Sequence, residues 1–232
     1  FTRKMALISG GSEPRAMRRK KGVVQQSKML QSFGRFCSNP TEWASFKFTW
    51  AMMHRSRDFK MKVYPTVGYM LVYLFFIFFS SRNTSFETLR TDPQTIKFGF
   101  VSLVYISSTI LTTAISQLIV SEQHKAAWFY FITPVSHPGY LITGAIKAAV
   151  CMFWLPVMLV VSVIGVAFWG PVVIPNLLLG FSNQLLLTLL TAFMFFRQLP
   201  FSVANAVSTG GSAFLKGFLL LLCMGGMGVL HY

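Results

Sequence analysis

Carboxylates are scarce in this chain. Its 232 residues include 6 Asp and Glu against 21 Lys and Arg, and only 12% of the residues are charged. Soluble domains carry about 25% charged residues. A fold with 53% hydrophobic residues and 24 Phe has too few polar side chains to cover its surface in water. Because lipid requires an apolar exterior, the composition argues against a soluble domain and predicts an integral membrane protein.

The sequence also lacks the motifs of several enzyme classes. Cys37, Cys151 and Cys223 have no regular spacing, so they predict neither a disulfide framework nor a metal site. The chain has no H-E-x-x-H run, no G-x-S-x-G run and no G-x-x-x-x-G-K-[ST] run, which are typical of metalloproteases, serine hydrolases and phosphate-binding loops. No catalytic residue and no metal ligand is therefore predicted. Any ATP hydrolysis is expected on another polypeptide.

Apolar runs predict an all-α bundle of about five transmembrane helices. Each run has a length near the roughly 20 residues that cross a bilayer core, and the runs cover residues 63–80, 98–120, 140–169, 172–196 and 214–230. The third run is expected to tilt or to kink at Pro156. We divide the chain into a basic cytoplasmic segment over 1–40, an amphipathic inner-leaflet helix over 41–62 and a transmembrane domain over 63–232. The first Met is residue 5, so we expect a piece of a longer polypeptide.

Basic residues are concentrated at the beginning of the chain. Residues 1–62 hold 14 of the 21 Lys and Arg, including the run from Arg18 to Lys21. Because cytoplasmic flanks of spans carry an excess of positive charge, we expect residues 1–40 in the cytoplasm, attracted to anionic lipid. The nearly neutral loop 81–97 is then outside and the loop 121–138 inside. Nucleic acid is not an expected partner, and a bacterial plasma membrane is the expected location.

The cytoplasmic segment 121–138 is the most informative stretch. Ser121 is a suitable cap for a short helix and Glu122 suits its first turn, while Thr133-Pro134 would end it. The segment carries an aromatic cluster from Trp128 to Phe131. Two interpretations are open, an interfacial helix with an aromatic belt or a coupling helix that docks into a soluble partner.

Two motifs carry a resemblance to a known family. The run EQHKAAWFYFITPVSHPG between the second and third spans, and the run RSRDFKMKVYP before the first span, resemble membrane subunits of type-2 ABC exporters over roughly residues 41–230. In that family an amphipathic helix precedes the first span, and a coupling helix between the second and third spans engages the ATPase. The resemblance implies a permease subunit that moves an amphipathic or hydrophobic substrate and needs a second permease half. It also implies that this chain binds no cofactor, that ATP and Mg²⁺ bind the partner ATPase, and that the contact residues are Glu122, His124, Lys125, Trp128 and Phe131.

Polar residues inside the spans allow two further interpretations. They line a translocation path or they hold helices together, and the set comprises Ser102, Thr109, Thr113 and Ser116 in the second span and Asn176 and Asn183 in the fourth. Gly225, Gly226 and Gly228 in the fifth span suit close helix approach, and Lys147 is expected to reach the inner edge of the membrane. Beside the permease, a non-transporting membrane scaffold or assembly factor is the main alternative function. An intramembrane enzyme acting on lipid is a third.

Overall fold

The structure is a computed structural model that describes residues 33–80, 93–135, 137–204 and 211–231. The basic run from Arg18 to Lys21 and most of the predicted outer loop 81–97 lie outside the described residues. The chain divides into two units, Phe1–Phe36 and Cys37–Tyr232. In the first unit the described part is a 3-10 turn, Gly34–Phe36. All features below belong to the second unit.

The described part of the second unit is helical, as predicted. Its α-helices are α1 (Pro40–Arg55), α2 (Arg57–Ser80), α3 (Pro93–Gln117), α4 (Phe129–Ile132), α5 (Gly139–Ala149), α6 (Leu155–Trp169), α7 (Ile174–Phe195) and α8 (Gly211–His231). Five helical stretches are long and apolar enough to cross a membrane, namely Arg57–Phe79, Phe98–Gln117, Gly139–Trp169, Pro171–Phe195 and Phe214–His231. These stretches confirm the predicted five spans and indicate an integral membrane protein.

The predicted helix over 41–62 is divided between α1 and the beginning of α2. The division lies at Ser56, whose backbone is extended with ψ at 119°. The Ser56 hydroxyl then accepts the Phe59 N–H at 3.3 Å, which satisfies one of the free donors at the start of α2. The first span helix therefore begins six residues before the apolar run starts at Val63. The location of α1 at an inner leaflet stays a prediction.

The third span contains a change of helix type. A π-helical turn, Val150–Trp154, joins α5 to α6 and lies directly before Pro156. Proline has no N–H to donate to the carbonyl four residues earlier, and its ring crowds that carbonyl. A wider turn relieves this crowding, so Pro156 accounts for the local change in geometry.

Helix α3 is the centre of the bundle. It contacts α2, α5, α6, α7 and α8, and 61% of its span is buried, against 11% for α2 and 0% for α8. Glycines on neighbouring helices allow close approach, as at Gly180, where an added Cβ would lie 2.8 Å from Val104, and at Gly165, where it would lie 3.0 Å from Phe100. Small residues at such contacts are typical of helix association in lipid.

Three segments meet at one end of the bundle, and we call them the basal layer: α1, residues 118–135 and residues 196–204. A short parallel bridge joins Val120 to Val203, and the Phe201 N–H donates to the Leu118 carbonyl at 2.7 Å. Phe201 adopts a φ of +56°, which is unfavourable for a bulky residue. Its ring is buried and stands edge-on to Phe48 of α1, with centroids 6.0 Å apart, so contacts within the basal layer hold this conformation.

Candidate functional site

Within the segment 121–138, the described residues 121–135 form a compact connection instead of the single short helix predicted from Ser121. The Ser121 hydroxyl accepts the Gln123 N–H at 3.1 Å, a 3-10 turn follows over His124–Trp128, and one α-helical turn, α4, follows that. The Thr133 hydroxyl donates to the Phe129 carbonyl at 3.0 Å and ends α4 where expected. Such short pieces have no helical stability of their own. Their conformation therefore depends on contacts with the rest of the basal layer.

One face of this connection is buried against α1 and α5. Ala127 and Tyr130 form a buried cluster with Leu141 of α5. Phe48 of α1 stands edge-on to both Phe129 and Tyr130, with ring centroids 5.4 Å and 6.4 Å apart. Burial also raises the pKa of the Tyr130 hydroxyl. This face fixes the connection to the bundle.

The opposite face is an exposed apolar surface, which we call the outer patch: Trp128, Phe131 and Ile132. Their exposed fractions are 61%, 82% and 67%. A spacing of three and four residues places side chains on the same side of a helical turn. Lys125, one turn earlier, is exposed, and His124 is half-buried. The predicted aromatic cluster therefore has one half that is buried against the bundle and one half that is exposed. An exposed apolar surface with a polar border is typical of a contact with a protein or with a membrane.

Glu122 is exposed and lies near the start of α2. Hydrogen bonding with Asp58 and the negative charge of Asp58 raise the pKa of Glu122, while Arg57 partly opposes the effect. Ser121 and Glu122 line a polar cavity of about 400 Å³ together with residues at the α1–α2 junction, including Asp58. The predicted ATPase-contact residues therefore do not share one surface. Glu122 lies at the α1–α2 junction, whereas Trp128 and Phe131 belong to the outer patch.

The hydroxyl groups predicted in the second span bond mainly to their own helix. Thr109 donates to the Ile106 carbonyl at 2.7 Å, and Ser116 donates to the Thr113 carbonyl at 2.8 Å. Ser102 donates to the Gly99 carbonyl at 3.0 Å and also contacts the Tyr73 hydroxyl of α2. This local bonding is a common arrangement for Ser and Thr in membrane helices.

Three of these residues also line a cavity between α3, α7 and α8. Thr109, Thr113 and Ser116 form its polar wall with Thr112, and its apolar wall includes Leu187, Leu220 and Met224; the volume is about 230 Å³. Ser102 belongs to a second, more apolar cavity of about 420 Å³ beside it, together with Tyr105 and Gly228. The two cavities place the predicted hydroxyl face of α3 next to α8, the helix with the fewest buried residues.

The asparagines of the fourth span have different surroundings. Asn183 donates to the Tyr105 hydroxyl at 2.8 Å, and that hydroxyl donates to the Met227 carbonyl of α8 at 3.1 Å. Asn183 therefore links α7, α3 and α8, which favours the interpretation of helix packing. Asn176 is half-buried two turns earlier and is not part of this set of hydrogen bonds.

Gln184 was missed by the sequence analysis although its side chain makes three hydrogen bonds inside the bundle. It is 1% exposed. Its amide nitrogen donates to the Val104 carbonyl at 2.6 Å and to the Ser107 hydroxyl at 3.0 Å, and its amide oxygen accepts the Trp154 indole N–H at 3.0 Å. Burying a side-chain amide in an apolar environment is unfavourable unless the amide is hydrogen-bonded. A glutamine within an apolar run therefore indicates a hydrogen-bonded contact between helices, and this signal could have identified Gln184 from the sequence.

An ion pair between the half-exposed Lys147 and the buried Glu42 joins α1 to the third span. The Lys147 ammonium lies 2.6 Å from the Glu42 carboxylate, which also accepts the Ser38 N–H at 2.8 Å. Burial would raise the pKa of Glu42, but the bonds from Lys147 and Ser38 and the positive charge of Lys147 lower it overall. Lys147 was expected to reach the inner edge of the membrane, which stays a prediction. The structure adds a partner for its ammonium group, because α1 packs against α5.

No protein-family model, curated protein or solved structure matches this chain. Across the residues that the structure describes, no group of three His, Cys, Asp or Glu side chains converges in a way that would hold a metal ion. Function therefore has to be argued from the basal layer and the interior of the bundle.

Proposed function

We propose that the chain is the membrane-spanning permease subunit of an ABC exporter and that the outer patch contacts a separate ATPase. The observation that carries the proposal is that Trp128, Phe131 and Ile132 are exposed on a connection whose other face is fixed to α1 and α5. A rigidly held aromatic anchor is the type of side chain that dominates protein interfaces. The ATPase would bind ATP and Mg²⁺, and this chain would bind neither.

Movement at the outer patch has a direct route into the bundle. Residues 118–121 are hydrogen-bonded to residues 201–203, and α1 is joined to α5 through the Glu42–Lys147 pair. A push on the patch would therefore act on the ends of α3, α5 and α7 together. Rigid-body movement of packed helices is a common form of switching, and in this proposal it alternates the bundle between inward-open and outward-open states.

The proposed substrate is amphipathic or hydrophobic. The cavity beside α8 combines hydroxyl groups of Thr109, Thr113 and Ser116 with leucine and methionine side chains, and none of the described residues that line it is ionisable. Such a wall suits weak hydrogen bonds and apolar contact. A second permease half completes the path in this proposal, with the basic lead 1–40 in the cytoplasm of a bacterial cell and next to anionic lipid.

Site-specific crosslinking in intact cells tests the contact. A photo-crosslinking residue at Phe131 should capture a protein that carries a phosphate-binding loop, and the same residue at Phe76 should capture none. Phe76 is a matched control, because it is 65% exposed on α2 and lies in a predicted span. The proposal fails if position 131 gives only lipid adducts or the same products as position 76.

A membrane scaffold without transport activity is the second candidate. The observation that favours it is the extent to which polar side chains of α3 and α7 hold helices together, with Gln184 and Asn183 both engaged in hydrogen bonds. A scaffold would form a complex that does not respond to nucleotide. Release or tightening of the captured partner on addition of ATP and Mg²⁺ therefore separates the two functions.

A further inference from the structure

A cavity of about 480 Å³ lies where α7 ends and α8 begins. Its apolar wall comes from Ile142 of α5 and from Ala192 and Phe193 of α7. Its polar part comes from two cations, Arg197 just after α7 and Lys216 in the second turn of α8. This cavity belongs neither to the outer patch nor to the cavity beside Thr109.

The two cations of this cavity have no carboxylate partner among the described residues. The sequence contains no Asp or Glu after Glu122, so residues 123–232 provide no acidic side chain at all. Of the basic residues in that part of the chain, Lys147 is paired with Glu42. The Lys216 ammonium instead lies 5.2 Å from the centre of the Phe195 ring, a contact that orients a cation without neutralising it.

The position of the cations relative to the spans restricts the class of ligand. Arg197 follows Phe195, the last residue of one span helix of the structure, by two positions, and Lys216 lies near the beginning of another. Basic side chains at span ends lie at the depth of lipid headgroups. Phe193 on the apolar wall is 84% exposed, so the cavity is continuous with the surface that contacts acyl chains. A ligand that fills it needs an anionic group and a hydrocarbon tail.

We infer that this cavity binds the headgroup of an anionic phospholipid, with its phosphate between Arg197 and Lys216 and its acyl chain along Ile142 and Phe193. Arginine and lysine both bind phosphate, arginine in a bidentate geometry. Basic pockets between membrane helices are a known form of headgroup site. The inference is independent of the ATPase contact and of the basic lead 1–40, for which lipid attraction was predicted from charge alone.

Native mass spectrometry of the purified full chain tests the site. The protein is equilibrated with equal amounts of dioleoylphosphatidylglycerol and dioleoylphosphatidylcholine, and bound lipid is counted. Wild type should retain phosphatidylglycerol in preference. Arg197→Gln and Lys216→Gln should each reduce that preference about fivefold, the equivalent of roughly 1 kcal/mol per basic residue near an anionic surface. Lys60→Gln, a cation of α2 that does not line the cavity, should leave it unchanged.

Two further measurements keep the inference testable if the glutamine variants fold poorly. In the wild type, raising salt should lower the preference, because salt screens exposed charges. The double variant Arg197→Lys/Lys216→Arg preserves both charges and should retain most of the preference for phosphatidylglycerol. Equal retention of both lipids by the wild type, or an undiminished preference in Arg197→Gln/Lys216→Gln, would overturn the inference. Displacement of phosphatidylglycerol by inorganic phosphate at equal concentration would show a free-phosphate site and would also overturn it.

Discussion

The α1–α5 contact and helix α8 are the two extremes of helix attachment in this bundle. Between α1 and α5 lie the Glu42–Lys147 ion pair, a hydrogen bond of 2.6 Å from the Ser45 hydroxyl to the Leu141 carbonyl, and Gly144, where an added Cβ would lie 2.9 Å from Ser45. Helix α8 has no buried residue in its span. Its contacts with α3 and α7 consist of packing by half-buried side chains such as Met224 and of a hydrogen bond from the Tyr105 hydroxyl to the Met227 carbonyl.

Hydropathy does not explain this difference. Helix α8 is apolar, but lipid tails are as apolar as its leucines, so burial against protein gives it little gain. Helix α1 is more polar, and its buried face carries Glu42, Ser45 and Thr49 beside Phe46 and Met53. In this bundle polar partners and close backbone approach determine which helices are fixed. In the proposed permease, a weakly attached α8 next to the hydroxyl-lined cavity would be the helix best suited to move.

The largest expected effect comes from removing the cation that pairs with the buried Glu42 carboxylate. Lys147→Met leaves the 4%-exposed Glu42 side chain without its cation and should lower the free energy of unfolding by about 3 kcal/mol. The measurement is unfolding in detergent, followed by tryptophan fluorescence. Lys125→Met removes an exposed cation and should change stability by less than about 0.5 kcal/mol. The double variant Glu42→Gln/Lys147→Met should recover much of the loss. A single variant as stable as wild type would contradict the assigned pair.

A smaller effect is expected from adding one methyl group at glycines of the two regions. Gly144→Ala places a Cβ against the Glu42 backbone and Ser45, so it should cost about 1–3 kcal/mol. Gly225→Ala in α8 meets no described atom within 4 Å and should be neutral, or stabilising by up to about 1 kcal/mol through helix propensity. The free energy of unfolding of both variants is measured in detergent as above. Equal losses at Gly144 and Gly225 would contradict the claim that the α1–α5 contact is packed more closely than α8.

The smallest effect concerns pH and the Glu42 carboxyl. The pKa of Glu42 in the folded protein lies below its ordinary value of 4.5. Its contribution to stability is therefore fully present above pH 4.5 and is lost as pH falls through the lower folded-state pKa. The difference in unfolding free energy between wild type and Glu42→Gln should be constant from pH 7 to pH 5.5 and should shrink in more acidic buffer. If the difference in unfolding free energy grew as the pH fell, the pKa of Glu42 in the folded protein would lie above 4.5, and the assigned direction would be wrong.

The sequence predicted the helical class and the five spans because length and apolarity alone determine whether a helix crosses a bilayer. It did not predict the helix contacts. Gly225 and Gly226 were expected at close contacts and face open space among the described residues, whereas Gly144 has the close contact. Which glycine meets a neighbour depends on how helices are rotated about their axes, and apolar runs with little periodicity carry no signal for rotation.

The sequence indicated where the aromatic cluster lies along the chain, but not which of its side chains are buried and which are exposed. The aromatic cluster of residues 128–131 was identified, but its division into a buried face with Tyr130 and an exposed face with Phe131 depends on Phe48 and Phe201, which come from distant parts of the chain. The Glu42–Lys147 pair likewise joins residues 105 positions apart. Contacts at such separation leave no local pattern in a single sequence.

The most direct test of the account is whether the outer patch stimulates an ATPase. The rate of ATP hydrolysis is measured with the ATPase and the chain reconstituted together and with the ATPase alone. Trp128→Ala/Phe131→Ala should weaken binding about 30-fold or more for each interface anchor removed, at roughly 2 kcal/mol each, and should return the rate to that of the ATPase alone. Phe76→Ala/Phe79→Ala, which truncates two exposed rings of α2, should keep the stimulation. Full stimulation and binding by the Trp128→Ala/Phe131→Ala variant would contradict the proposed contact.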